Sequence, residues 1–267
     1  MKSKKFIAVL LVAILAVGLV LTGCASNSAD EGADLVYAVE AGSAGEEIAL
    51  ELGYTINSVG AQSDALMEVN AGTSDAAIID LLMAGAMIGE GTSYPDLIYT
   101  DSLTSEEYGA GCRKGSDLAS YINAFFSEIY ADGTMEEIAT VYGTQESLLE
   151  QEAGLEFVAA EADSDVAYIQ EKGTLIVGIT DFAPMDYKDD NGNWIGFDAD
   201  MCTKLAEKLG VKVEFVEIDW DNKVMELDSK NIDVVWNGMT LTDAVKESME
   251  CTNAYCNNAQ VIVVKAN

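Results

Sequence analysis

From Leu35 onward, short runs rich in β-branched and apolar residues alternate with amphipathic stretches, and this alternation limits the fold more than any other feature of the chain. Leu35–Glu40 precedes Glu46–Leu52, and Ala76–Asp80 precedes Leu81–Gly89. The pattern returns at Leu175–Thr180, Asp198–Leu209, Val211–Ile218, Lys223–Ser229 and Ile232–Met239. Strands alternating with helices predict an α/β architecture. Two further helices, Ser116–Tyr130 and Thr134–Tyr142, flank the turn Ala131-Asp132-Gly133. After them, Gln145–Asp165 carries seven acids and no base, which reads as a solvated acidic linker with one helical turn between two halves. No tandem repeat is visible, and 267 residues suit one large domain or two small ones.

Charge excludes whole classes of function. Lys and Arg total 14 against 46 Asp and Glu, giving a formal charge of −32, and there is no histidine. Phosphate backbones and anionic lipid surfaces need a basic face, yet no cation occurs between Lys5 and Arg113. Nucleic acid is therefore not an expected partner. Without histidine, Ser/His/Asp and Cys/His nucleophile arrangements and His-containing zinc sites are ruled out, and no metal or cofactor is expected. With 49% hydrophobic residues and 2 prolines, the chain has enough apolar surface for a sizeable core.

The N-terminal segment reads as an export leader. Three lysines in residues 1–5 precede the apolar or small run Phe6–Leu21, which at 16 residues falls short of a bilayer span. Leu21-Thr22-Gly23-Cys24 looks like a bacterial lipobox, which implies cleavage after residue 23 and acylation of Cys24. Residues 24–33 would then form a polar tether, and two or more acyl chains would anchor the protein to the outer face of the cell membrane. Removing the leader takes three lysines and no acid, leaving −35. Cys112, Cys202, Cys251 and Cys256 form no C-x-x-C pair, so a Cys251–Cys256 disulfide and free thiols both stay open.

In open α/β sheets, ligands bind beyond the carboxyl ends of strands, where helix N-termini present free N–H groups. The segment after Leu35–Glu40 is Ala41-Gly42-Ser43-Ala44-Gly45-Glu46, with backbone donors and the Ser43 hydroxyl for an anion. It lacks the lysine of a P-loop and the spacing of a dinucleotide loop. Asp80 closes an apolar strand, where it could meet an ammonium group or simply cap the next helix. Asn237, Gly238 and Thr240 follow another strand, and Phe182 and Trp220 lie where aromatics could wall a pocket. Asp189-Asp190-Asn191-Gly192-Asn193 suits an Asn-Gly hairpin turn better than a calcium loop, because Tyr187 stands where an EF-hand needs an acid.

Taken together, these segments resemble the extracytoplasmic solute-binding proteins of polar amino-acid ABC transporters, family 3. The quoted stretches are Gly173–Tyr187, Asp190–Asp200, Asp219-Trp220-Asp221, Trp236–Thr242, Tyr37–Glu47, Asn70–Asp80, Tyr108–Ser116 and Ala131–Thr134. The resemblance implies a two-lobed periplasmic-binding-protein fold, each lobe a doubly wound sheet. It also implies reversed lobe order, as in a circular permutant. Residues 34–104 would form the family's second lobe, 105–144 with 166–267 its first, and 145–165 the joining linker. One covalent crossover, near Glu106-Glu107-Tyr108, would remain, with a looser hinge as its consequence.

By the resemblance, Asp80 would bind the ligand's α-ammonium, Ser43 and the Ala44 backbone its carboxylate, and Asn237, Gly238 and Thr240 both ends. Phe182 and Trp220 would supply the aromatic walls. The family's Thr-x-Thr-x-x-Arg motif ends here in Val245, which removes the expected carboxylate clamp, and Lys246 is an uncertain substitute one helical position away. Glu40, Asp181 and Asp221 lie near the expected cleft and would favour a cationic ligand. The implied function is capture of a polar amino acid or related amine and its delivery to a permease, with no catalysis. The rival readings are a sensor or scaffold with an altered pocket, and a dehydratase on the same lobes.

Overall fold

The computed structural model describes residues 35–266. The leader, the Leu21–Cys24 motif and the tether lie outside them. No helix among the described residues is long and apolar enough to cross a membrane.

The first half runs β1 (Val36–Glu40), α1 (Ala44–Glu51), β2 (Thr55–Val59), α2 (Gln62–Ala71), β3 (Ala76–Asp80), α3 (Leu81–Met87) and β4 (Leu97–Ser102). The chain then passes through β5 (Glu106–Cys112), α4 (Leu118–Ala131), α5 (Thr134–Tyr142), α6 (Asp165–Lys172) and β6 (Thr174–Ile179). A hairpin of β7 (Tyr187–Lys188) and β8 (Trp194–Ile195) leads to α7 (Phe197–Leu209), β9 (Lys212–Glu217), α8 (Lys223–Asp228) and β10 (Val234–Thr240). The last elements are α9 (Asp243–Ser248), β11 (Glu250–Cys251), β12 (Cys256–Asn258) and β13 (Gln260–Lys265).

Two larger sheets result. One has the order β2-β1-β3-β13-β4, the other β11-β5-β10-β6-β9, with β12 also paired to β5. In the first, β1 is parallel to β2 and β3, while β13 is antiparallel to β3 and β4. In the second, β10, β6 and β9 are parallel, and β5 is antiparallel to β10. Both are mixed α/β sheets, as the alternation predicts. Buried strands read as nearly continuous apolar runs when both faces are covered, and Ala76–Asp80 is buried at every position.

Two expectations need correction. Gln260–Lys265 was expected in the lobe of 166–267 but lies in the first sheet, between β3 and β4. Its alternating Val261 and Val263 are buried, and they complete the core of that sheet. The sheets are consequently joined twice, by Leu103–Ser105 between β4 and β5 and by Ala259 between β12 and β13, so the single crossover and the looser hinge drawn from it do not hold.

Nor does 145–165 lie free in solvent. Leu149 N–H donates to Tyr255 O (2.9 Å), Gln151 Nε2 to Ala254 O (2.9 Å), and Leu155 N–H to Ser127 Oγ (3.2 Å). Phe157 meets Tyr121 edge to face at 5.0 Å. Six of the seven acids face outward, Asp165 is buried in an ion pair with Arg113 (2.8 Å), and Leu148 and Phe157 join the core, so the charge run hides a packed backbone.

Candidate functional site

Residues from both sheets line one cavity of about 200 Å3. Asp80, Ser43, Ala44, Asn237, Gly238, Thr240, Phe182 and Trp220 all lie in its wall, as does Val245. Five strands, β1, β3, β6, β9 and β10, and the turns after them bring these residues together.

The turn after β1 is built by a reciprocal cap. Ser43 Oγ accepts from Glu46 N–H (3.1 Å), and Glu46 Oε2 accepts from Gly42 N–H (2.8 Å). This Ser-x-x-Glu spacing satisfies two orphan donors at the helix start. Gly42 has φ +71°, and a Cβ there would stand 2.7 Å from the Asp221 Cα of the other half. Glycine therefore answers both the left-handed turn and the close approach of the two halves.

Asp80 is 4% exposed and does not cap α3. Its Oδ1 accepts from Tyr108 Oη–H (2.7 Å), Gln260 Nε2 (3.0 Å) and Asn258 Nδ2, and its Oδ2 accepts from Gln62 Nε2. Burial raises its carboxyl to about 7, with the charge of Glu106 adding to the rise and the Tyr108, Gln62 and Gln260 donors opposing it. Asn258 and Gln260 also donate to Glu106 Oε2, at 3.2 Å and 3.0 Å. The amides that hold Asp80 thus flank the β12–β13 crossover, and Glu106 opens the strand after the other.

On the opposite wall, the β10–β5 register shifts between Val235 and Met239, taking Trp236–Gly238 out of the regular ladder. Asn237 is committed inward: its Oδ1 accepts from Thr180 N–H (2.8 Å) and Oγ1–H (2.7 Å), and its Nδ2 donates to Asp186 Oδ2 (2.8 Å). Gly238 N–H donates to Asp198 Oδ2 (2.6 Å). With φ +56° and Phe182 Cε1 2.5 Å from where a Cβ would stand, Gly238 lets the Phe182 ring close on the strand. Thr240 Oγ1–H donates to Glu106 Oε2 (3.0 Å).

The sequence reading missed three lining side chains, Gln62, Glu47 and Lys223. Lys223 is 8% exposed and donates from Nζ to Gly42 O (2.9 Å) across the cleft and to Trp220 O (3.1 Å). Its Nζ also lies 5.0 Å from the Trp220 ring centroid. Burial pulls its ammonium below the usual lysine range, while Glu40, Asp221 and Glu46 oppose the fall. Of the three acids expected at the cleft, only Glu40 lines the cavity; Asp221 packs against Gly42, and Asp181 faces a separate open cavity. Burial, and secondarily the charge of Asp80, pushes Glu40 up to about 8, and its buried Oε1 has no hydrogen-bond partner. Lys246 does not reach this cavity.

The cysteine and hairpin expectations resolve simply. Cys112, Cys202, Cys251 and Cys256 are free thiols, so the open disulfide does not form. Asp189 Oδ1 accepts from the N–H groups of Asn191 and Asn193, both at 2.8 Å, which makes 189–193 the turn of the β7–β8 hairpin. No cluster of three or more metal-ligating side chains occurs among the described residues.

Residues 175–267 match the family described as bacterial extracellular solute-binding proteins, family 3. The match covers about a third of the chain and makes this segment similar to that family. Among curated relatives, L-cystine-binding protein TcyJ of Escherichia coli (strain K12) is 35% identical over 101 residues, covering 37% of this chain and 38% of that protein. A probable amino-acid ABC transporter-binding protein of Haemophilus influenzae is 35% identical over 100 residues, covering 37% and 39%. Cyclohexadienyl dehydratase of Pseudomonas aeruginosa is 34% identical over 80 residues, covering 30% of each. The chain spans less than two-fifths of the length of these relatives. The matched family segment contains Phe182, Trp220, Lys223 and Asn237–Thr240, and so supplies one wall of the cavity.

Proposed function

We propose that this chain is a solute-binding protein that encloses a polar amino acid or related amine between its two sheets and delivers it to an ABC transporter permease. The observation that carries this reading is the convergence of eight strand-end residues, from both sheets, on one cavity with a donor-ringed carboxylate at Asp80. In that reading Asp80 meets the ligand's ammonium, Ser43 and the Ala44 N–H group its carboxylate, and Phe182 and Trp220 the hydrocarbon between. Asn237 and Gly238 act through their backbone carbonyls, because the Asn237 amide and Gly238 N–H are already engaged. The Leu21–Cys24 motif supports a lipid anchor on the extracytoplasmic face, and the charge of the chain supports a surface kept off anionic membrane. The order of the quoted motifs supports a permuted arrangement, with 145–165 as the joining segment.

The test is ligand-dependent fluorescence of Trp220 in the chain from Ala25 onward, which contains both sheets and their crossovers. Titration with free amino acids should change the emission saturably, and Trp220→Phe should remove that change. A flat titration with every amino acid would favour the scaffold reading. Turnover of a cyclohexadienyl acid by the same protein would favour the enzyme reading, for which Glu40, protonated up to about pH 8, is the available acid.

A further inference from the structure

The cavity wall carries three acids, Glu40, Glu47 and Asp80, and one cation, Lys223. A buried ammonium is costly unless matched by charge or hydrogen bonds. Lys223 Nζ hydrogen-bonds two backbone carbonyls, Gly42 O and Trp220 O, lies over the Trp220 ring, and makes no ion pair among the described residues. With three N–H donors on an ammonium, one remains uncommitted. In the same enclosed space Glu40, 3% exposed, keeps an oxygen with no partner. An unpaired cation sharing one cavity with the donor-ringed carboxyl of Asp80 complements a ligand that bears charges of both signs.

Other donors for an anion are few. Glu46 already takes the N–H of Gly42, and Asp198 takes that of Gly238. Glu46 and Glu47 stand in the first turn of α1 and offset the positive end of the helix that a carboxylate would seek. The residue at 245, beside this wall, is an apolar valine.

We infer that Lys223 joins Ser43 and the Ala44 N–H group at the ligand's carboxylate and supplies the positive charge there, so that the site selects free α-amino acids over their amides and over the corresponding decarboxylated amines. This inference rests on the binding-protein reading and adds the specificity-determining group. It also gives Lys223 a second role, since the same Nζ hydrogen-bonds Gly42 O across the cleft and so ties carboxylate binding to closure of the two halves.

Calorimetric titration of the chain from Ala25 onward with L-arginine, L-argininamide and agmatine, and with L-glutamine and L-glutaminamide, tests it. In whichever series binds, the free acid should bind at least tenfold tighter than the amide. Lys223→Met, which keeps an unbranched side chain and removes its charge, should abolish that preference by weakening the acid more than the amide, both losing the bond to Gly42 O across the cleft. Its folding is read from thermal unfolding without ligand; the acid-to-amide ratio of the unsubstituted protein needs no variant. Equal binding of acid and amide, or a preference that survives in Lys223→Met, would overturn the assignment while leaving the binding-protein reading intact. No binding in either series would remove the reading of function and the assignment with it.

Discussion

Two buried carboxyl centres serve the same cavity in different ways. Asp80, on the first sheet, has four side-chain donors shared between its two oxygens. Asp186 and Asp198, behind β10, each have one bonded oxygen and one buried oxygen without a partner. Burial raises all three, and the charge of Asp198 raises Asp186 further. Two carboxyls that oppose each other's ionisation in a dry site hold at least one proton between them at neutral pH. In the proposed reading Asp80 carries charge beside an amine, whereas the pair fixes Asn237, Gly238 and Tyr255. Burial alone does not distinguish a binding acid from a structural one; the number and kind of donors does.

The largest effect should come from the structural centre. Asp198→Ala leaves the buried Gly238 N–H and Tyr255 Oη–H without their acceptor, and denaturant unfolding should show a loss of about 3 kcal/mol. The same measurement on Asp198→Asn, which keeps an acceptor oxygen, should show a clearly smaller loss. For Asp80→Asn the weight shifts to binding: affinity for an amine ligand should fall at least tenfold, about 1.4 kcal/mol, with a lesser change in unfolding. If Asp80→Asn cost as much stability as Asp198→Ala and left binding untouched, the contrast between the centres would fail.

Proton linkage separates them further. The folded-state carboxyls of Asp80 and Asp198, at about 7, and Glu40, at about 8, lie above their unfolded values. The folded state therefore holds more protons than the unfolded chain across this window, and stability is fully present below about pH 4 for these groups and lost as pH rises through 7 to 8. Thermal midpoints should drop by a few degrees between pH 5 and pH 8.5 without ligand. Asp165 and Asp189, whose carboxyls are lowered, stay ionised across that range and do not oppose the trend. Ligand affinity should move the opposite way, rising as Asp80 ionises. Affinity that fell in parallel with stability would assign Asp80 to the structural class.

A smaller effect is expected at the cleft edge. Gly42→Ala forces a side chain into a left-handed turn at about 1 kcal/mol and against Asp221, so affinity should weaken several-fold while the cores stay intact, as far-ultraviolet circular dichroism would show.

Much of this arrangement is legible in the sequence because strand ends follow from periodicity. Leu35–Glu40, Ala76–Asp80 and Leu175–Thr180 are readable as strands, and residues at or just after their ends line one cavity from both sides. Lys223 was not readable, since a lysine opening a short helix resembles any solvated lysine until the Gly42 carbonyl is placed against it. The amides Asn258 and Gln260 escaped for a related reason, although two polar residues just before the apolar run Val261–Val264 were an available signal. The segment 145–165 misleads because most of its charges mark the exposed side, and the one buried acid, Asp165, pairs with Arg113, 52 positions away. Its packing on α4 depends on Ser120, Ser127 and Tyr121, which lie at least 28 positions away.

The central claim is that the cavity between the sheets takes up a free amino acid, and thermal unfolding of the chain from Ala25 onward tests it directly. The panel should hold free amino acids, polyamines and carboxylate-blocked amino acids. At 100 times its dissociation constant a ligand adds about 2.7 kcal/mol, a shift of several degrees for a chain of this size. The account predicts such a shift with at least one free amino acid, reduced in Asp80→Asn. A panel in which no free amino acid moves the midpoint, or in which Asp80→Asn responds as the unsubstituted protein does, would contradict it.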